Sequence, residues 1–147
     1  MKDQHELIKI IKLDSFREMR ESANEFRNLI HGNISSYNKE GNLVLCNSIH
    51  IAVKYKCYNS LFYLIAEGVD INFQETENGN TPLHMALTDD NPDDGIIYLL
   101  VEYGADLEIE NNEGKRPIGY LSEKQKNMVI RALLANRRLN NFMRNSE

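Results

Sequence analysis

The chain has 147 residues, 41% hydrophobic and 27% charged, with a formal net charge of −5 and a pI near 5.4. That length makes one domain or a short stack of repeats, and the balance excludes a disordered chain. Two cysteines (Cys46 and Cys57) and four scattered histidines (His5, His31, His50 and His84) give neither a disulfide framework nor metal-ligand spacing, so no metal or cofactor is expected.

The first sixteen residues, MKDQHELIKIIKLDSF, alternate charged and apolar positions and build no leader-like run. No window is long enough to cross a bilayer, so cytoplasmic residence without a membrane partner is the expectation. The stretch LIKIIKLDSFREMRESANEFRNLI then reads as two amphipathic helices broken near Asp14 and Ser15. Next comes GNLVLCNSIH, an apolar stretch in which Leu43–Leu45 is expected to be tucked in, followed by an apolar run and Gly68 in LIAEGVDIN.

The motif GNTPLHMAL follows. Thr81 suits a helix cap, Pro82 the first helical position, and Leu83, Ala86 and Leu87 form an apolar face. In NPDDGIIYLL, Asn91 is the expected cap and Pro92 the first helical residue, with Asp93 and Asp94 at the positive helix end. LLVEYGADLE ends that helix at Gly104, a residue type suited to a left-handed stop. GKRPIGYL echoes the motif a third time around Pro117. SEKQKNMVIRALLANRRL then opens with Ser122 and Gln125 as a capping box. Met128, Val129, Ala132 and Leu133 form its expected buried stripe, with Lys124, Arg131, Arg137 and Arg138 in solvent.

These landmarks recur. His50 and His84 lie 34 residues apart, and Pro82 and Pro117 lie 35 apart. Thr81 to Ala86 match the T-P-L-H-x-A signature in full, so the chain resembles ankyrin-repeat proteins. The resemblance implies an all-α solenoid of stacked helix-turn-helix repeats with short projecting β-turn fingers. It implies an N-terminal helical cap at 1–38, a degenerate repeat at 39–74, the best repeat at 75–110, and a C-terminal capping repeat with a basic helix at 111–147. It also makes His50 and His84 structural, hydrogen-bonded to backbone and to the neighbouring cap, with Gly68, Gly104, Asp106 and Pro117 as further repeat landmarks. Gly41 lies nine residues before His50, against five from Gly79 to His84, so the first finger is longer. The second unit carries two extra residues in its connecting loop, and Gly119 stands where the last unit would have its His.

Charge is segregated. From Cys57 to Gly114 there are 13 acidic residues and no Lys or Arg, whereas residues 115–147 hold eight basic and two acidic residues. By position, Glu77, Asn78, Asn80, Met85, Thr88 and Asp89 match the sites that ankyrin proteins vary to recognise partners. Glu75, Asp90, Glu110, Asn112 and Glu113 fall beside them on fingers or in the enlarged loop. The expected function is a non-enzymatic module that binds another protein, with a basic partner as the charge-matched form. Solubility is the competing reason for the acidic centre. An immunity- or antitoxin-type inhibitor of a toxin enzyme is one alternative, and a host-directed bacterial or viral ankyrin effector another. No small-molecule substrate is expected, no residues converge into a catalytic site, and the acidic pI argues against nucleic acid.

Overall fold

The structure is a computed structural model that describes residues 3–145, without the side chains of 138–140, 142 and 143. The expected exposure of Arg138 therefore lies outside what is described. Helix α1 (Gln4–Lys12) starts at Asp3, whose carboxylate accepts the His5 N–H at 3.3 Å. Asp14 then turns the chain at φ +49°, and Ser15 caps α2 (Phe16–His31) by accepting the Glu18 N–H. The break falls at the two residues where the sequence placed it.

A β-hairpin follows, β1 (Ile34–Tyr37) and β2 (Leu43–Cys46), antiparallel with Ile34 opposite Cys46 and Tyr37 opposite Leu43. This differs from the expectation of turns alone, because the long first finger pairs with residues 34–37, inside the stretch read as helical cap. Its alternation is that of a half-buried ribbon: Val44 and Cys46 are buried, Leu45 is half-buried and Leu43 is exposed. Leu43–Leu45 is thus only partly tucked in, because a strand sends successive side chains to opposite faces.

Two helix pairs come next, α3 (Ser48–Lys54) with α4 (Tyr58–Ala66), and α5 (Pro82–Thr88) with α6 (Asp94–Glu102). Thr81 caps α5 and Pro82 opens it. The α6 start differs from the sequence reading: Asp93, not Asn91, is the cap, accepting the N–H groups of Gly95 at 2.9 Å and Ile96 at 3.1 Å. Asn91 and Pro92 lie before it in the enlarged loop, where the Asn91 N–H donates to Asp89. The helices before Gly68 and Gly104 stop at these left-handed residues, with φ +79° and +105°.

The last unit replaces its inner helix by a single 3-10 turn, Pro117–Tyr120, in which Arg116 provides no side-chain cap. Helix α7 (Glu123–Asn145) opens with the Ser122–Gln125 box, each side chain accepting the other's backbone N–H. Val129 and Ala132 are buried and Met128 is half-buried, but Leu133 is exposed, against expectation. Apart from α6, α7 packs extensively against no described element.

The stack is built side by side. α1 packs on α3 and α2 on α4, α3 packs on α5, and α6 on α7. One apolar core runs through it from Leu7, Ile11 and Phe26 past Ile49, Leu61 and Leu64 to Leu83, Ile97 and Leu100 and on to Val129 and Ala132. Each unit buries its apolar side against the next, which is the physical reason a short repeat needs neighbours.

Candidate functional site

Three fingers share one turn. Asn38 Oδ1 accepts the N–H groups of Glu40 at 3.0 Å and Asn42 at 2.8 Å, and Asn111 Oδ1 accepts those of Glu113 and Lys115, both at 3.0 Å. In the middle finger a carboxylate takes this place: Glu75 accepts from Glu77 at 2.6 Å and from Asn78 and Asn80 at 3.0 Å. Asn38 and Asn111 each stand three residues before a glycine, Gly41 and Gly114, whereas Glu75 stands four before Gly79. The longer side chain spans the longer turn. Glu75 is buried in this role, with its carboxylate committed to the turn.

The two signature imidazoles fasten these fingers to the helices. His84 Nδ1 accepts the Thr81 N–H at 3.1 Å while Thr81 Oγ1 accepts the His84 N–H at 3.3 Å. With Nδ1 accepting, the ring proton resides on Nε2, which donates to the carbonyl of Lys115, 3.0 Å away in the following finger. His50 repeats the arrangement, with Asn47 standing in for Thr81 and the Asn80 carbonyl at 3.0 Å as the acceptor. Burial holds the His50 imidazole below its ordinary pKa. Asp70 and Asp106 play a matching part at the unit ends, each accepting the N–H two residues on, from Asn72 at 2.9 Å and from Glu108 at 2.8 Å.

Between the hairpin, the middle finger and the inner helices α3 and α5 lies a groove of about 200 Å³. Val44, Ile51 and Met85 give it an apolar floor, and Tyr37, Asn38, Glu77 and Asn78 form much of its rim, with Lys54 and Thr88 along the helices. Asn38 Nδ2 donates to Glu77 at 2.6 Å and ties the hairpin to the middle finger, and Leu45 and Thr76 exchange two further bonds there. Of the candidate contact residues, Glu75, Glu77, Asn78, Asn80, Met85 and Thr88 are brought together in this groove. Asp89 lies off it, 3.4 Å from Lys56, with its carboxyl held below the usual range by the Asn91 N–H and then by Lys56. Asp90 is exposed in the adjoining loop.

The last finger is not acidic in effect. Glu108 and Glu110 pair with Arg116 at 3.0 and 2.9 Å, and Glu113 pairs with Lys115 at 2.8 Å. Asn112 packs against the middle finger, donating its N–H to the Asn78 carbonyl at 2.8 Å. Bases just outside the acid-only segment thus fold back onto it, a pairing that a linear charge count misses. Also missed were Tyr37, Asn38 and Val44. The signal was present: ISSY and LVLC flank an Asn-Lys-Glu-Gly turn, a hairpin pattern.

Cys46 lines the groove, but burial pushes its thiol up to about 11, and His50 has both ring nitrogens engaged. Among the described residues no three His, Cys, Asp or Glu side chains form a metal-binding group, and no helix is long and apolar enough to cross a membrane.

A family model described as Ankyrin repeats (3 copies) matches residues 49–143. The chain is 36% identical over 108 residues to a Rickettsia felis protein named for its ankyrin repeats, covering 69% of this chain and 45% of that one. It is 30% identical over 118 residues to I-Kappa-B like protein C2 of Microplitis demolitor bracovirus, covering 76% and 62%. With mouse protein phosphatase 1 regulatory subunit 27 the identity is 34% over 82 residues, covering 56% and 51%. The chain spans less than two thirds of the length of each of these relatives.

Proposed function

The chain belongs to the ankyrin-repeat family, and from that premise we propose that its groove takes a segment of a protein partner, without catalysis. Ankyrin repeats generally mediate protein–protein interaction, and the family is typically non-enzymatic. The observation that carries the reading is the groove itself: an apolar floor of Val44, Ile51 and Met85 with amides, a tyrosine, Lys54 and the carboxylates of Glu75 and Glu77 around it. Such a site seats an apolar anchor and fixes the flanking backbone by hydrogen bonds. A basic flank on the partner is favoured by Glu77 and Asp90, while Asp89, Glu108, Glu110 and Glu113 are largely answered by their own lysines and arginine. The acidic contribution is therefore local to the middle unit.

Affinity capture from the source organism tests this, run with the wild-type chain, with Met85→Arg, and with Glu77→Lys combined with Asp90→Lys. A partner retained by the wild type should be lost from Met85→Arg. Charge reversal should slow its association about tenfold at low salt, an effect that fades as salt rises. Retention unchanged by both variants overturns the groove reading; retention lost only with Met85→Arg overturns the basic-flank part. If the retained protein is an enzyme silenced on binding, the module is an inhibitor of the immunity type.

A further inference from the structure

Helices α6 and α7 carry one apolar pattern: Ile96-Ile97-Tyr98-Leu99-Leu100-Val101 and Val129-Ile130-Arg131-Ala132-Leu133-Leu134. In both, the first and fourth residues are buried, Ile96 and Leu99 in one and Val129 and Ala132 in the other. The second, fifth and sixth part company. Ile97, Leu100 and Val101 are at most 1% exposed, whereas Ile130 is 56%, Leu133 45% and Leu134 50% exposed. The inner layer behaves alike: Leu83 is fully buried, and its counterpart one unit on, Ile118, is 45% exposed. The α6 residues are covered because α7 packs beside them. The last unit therefore presents the same stacking face that α7 covers in the unit before it, and this face is a continuation of the α6–α7 interface.

The ground around this face is basic. Arg131 and Arg137 are exposed on the same helix, whereas Lys115, Arg116, Lys124 and Lys126 are paired with acids elsewhere. A second copy meeting this one through α7 would bring like charges together, whereas an acid-flanked helix is attracted. We propose that the outward stripe of α7, Ile130, Leu133 and Leu134, docks an amphipathic helix of another protein whose apolar face is flanked by Asp or Glu. Spaced i, i+3 and i+4, the stripe forms the kind of ridge that a partner helix packs against at about 8–10 Å. The site is separate from the groove and does not depend on it.

The full chain can be titrated with two synthetic helices of about five turns, each with Leu at heptad spacing, one flanked by Glu and its twin by Lys. The Glu probe should bind at least about tenfold more tightly at low salt, with the gap closing as salt rises. Ile130→Gln with Leu134→Gln should weaken it about tenfold or more, because the apolar contact is removed. Circular dichroism and melting of the variant, expected to match the wild type at these half-exposed sites, check that the fold is intact. Arg131→Gln with Arg137→Gln should abolish the preference for Glu while retaining residual binding. Equal binding of both probes, or binding indifferent to the α7 substitutions, overturns the proposal. So does a wild-type dimer that Ile130→Gln with Leu134→Gln dissolves, which would assign the face to a second copy.

Discussion

His50 carries a pH dependence that its surroundings define. Its ring accepts the Asn47 N–H and faces the Asn80 carbonyl, and burial lowers its pKa from 6.5. The unfolded chain takes up this proton near 6.5 and the native chain only at lower pH, so below 6.5 the unfolded state binds more protons. The stabilisation is complete above 6.5 and is lost as pH falls from there through the native value. Melting temperature should drop between about pH 7.5 and about pH 5.5, and His50→Gln should flatten part of that drop. Glu75 supports a second expectation. Its carboxylate accepts three backbone N–H groups from a buried position, and Ala leaves them without an acceptor. Glu75→Ala should cost about 2–4 kcal/mol in denaturant titration and Glu75→Gln less, since one oxygen remains. Equal losses would mean that the turn does not depend on those bonds. Sequence alone placed the imidazoles correctly because a capping motif is local, within three residues. The turn role of Glu75 was not legible because its partners follow a turn one residue longer than the Asn38 and Asn111 turns, and only the three side by side reveal the substitution.

Helix α4 begins at Cys57, which offers no side-chain cap, yet its start is not bare. Asp14, at φ +49° between α1 and α2, accepts the Ser60 N–H at 2.9 Å, and Asn59 Nδ2 donates to the Asp14 carbonyl at 3.0 Å. Ser60 Oγ in turn donates to the Ile11 carbonyl at 2.8 Å, and Ser48 Oγ to that of Ile30 at 2.8 Å, occupying acceptors near the ends of α1 and α2. The N-terminal pair thus caps the next unit from outside. Asp14→Ala should cost about 1–2 kcal/mol, losing the cap and straining a left-handed residue, whereas Asn tolerates that conformation and keeps an acceptor. Thermal melts of Asp14→Ala and Asp14→Asn check this, and equal destabilisation would remove the capping account. Helices were legible where their caps were their own, as at Ser15, Thr81 and Ser122. The α6 start was misplaced because Asn91, Pro92 and Asp93 all carry start chemistry and the loop decides among them. Cross-unit caps leave no local trace at all.

At the scale of the whole molecule, the order of units was written in a 34-residue recurrence, but what faces each unit was not. The exposure of Leu133 and the pairing of Lys56 with Asp89 depend on elements distant in sequence, whereas Lys115 and Arg116 meet Glu113, Glu110 and Glu108 within the last finger. In a stack where contacts run mainly between adjacent units, stability is approximately a sum of unit and interface contributions, so a break at one interface should be felt mainly beyond it. His84 is placed to test this. Its Nε2–H is the bond from α5 to the Lys115 carbonyl, and its ring meets Tyr120 edge-on at 6.3 Å. Replacing it with Ala removes both ties to the last unit and leaves the Lys115 carbonyl without this donor. The same substitution weakens the α5 cap, so some global loss of about 1 kcal/mol is expected. Native-state hydrogen exchange separates the two effects. Amides of the 3-10 turn Pro117–Tyr120 and of α7 should exchange faster by a larger factor than those of α3 and α4, whose tie to the middle finger runs through His50 and Asn80. Uniform acceleration along the chain would mean that the units open together, as one cooperative body and not as a row of neighbours.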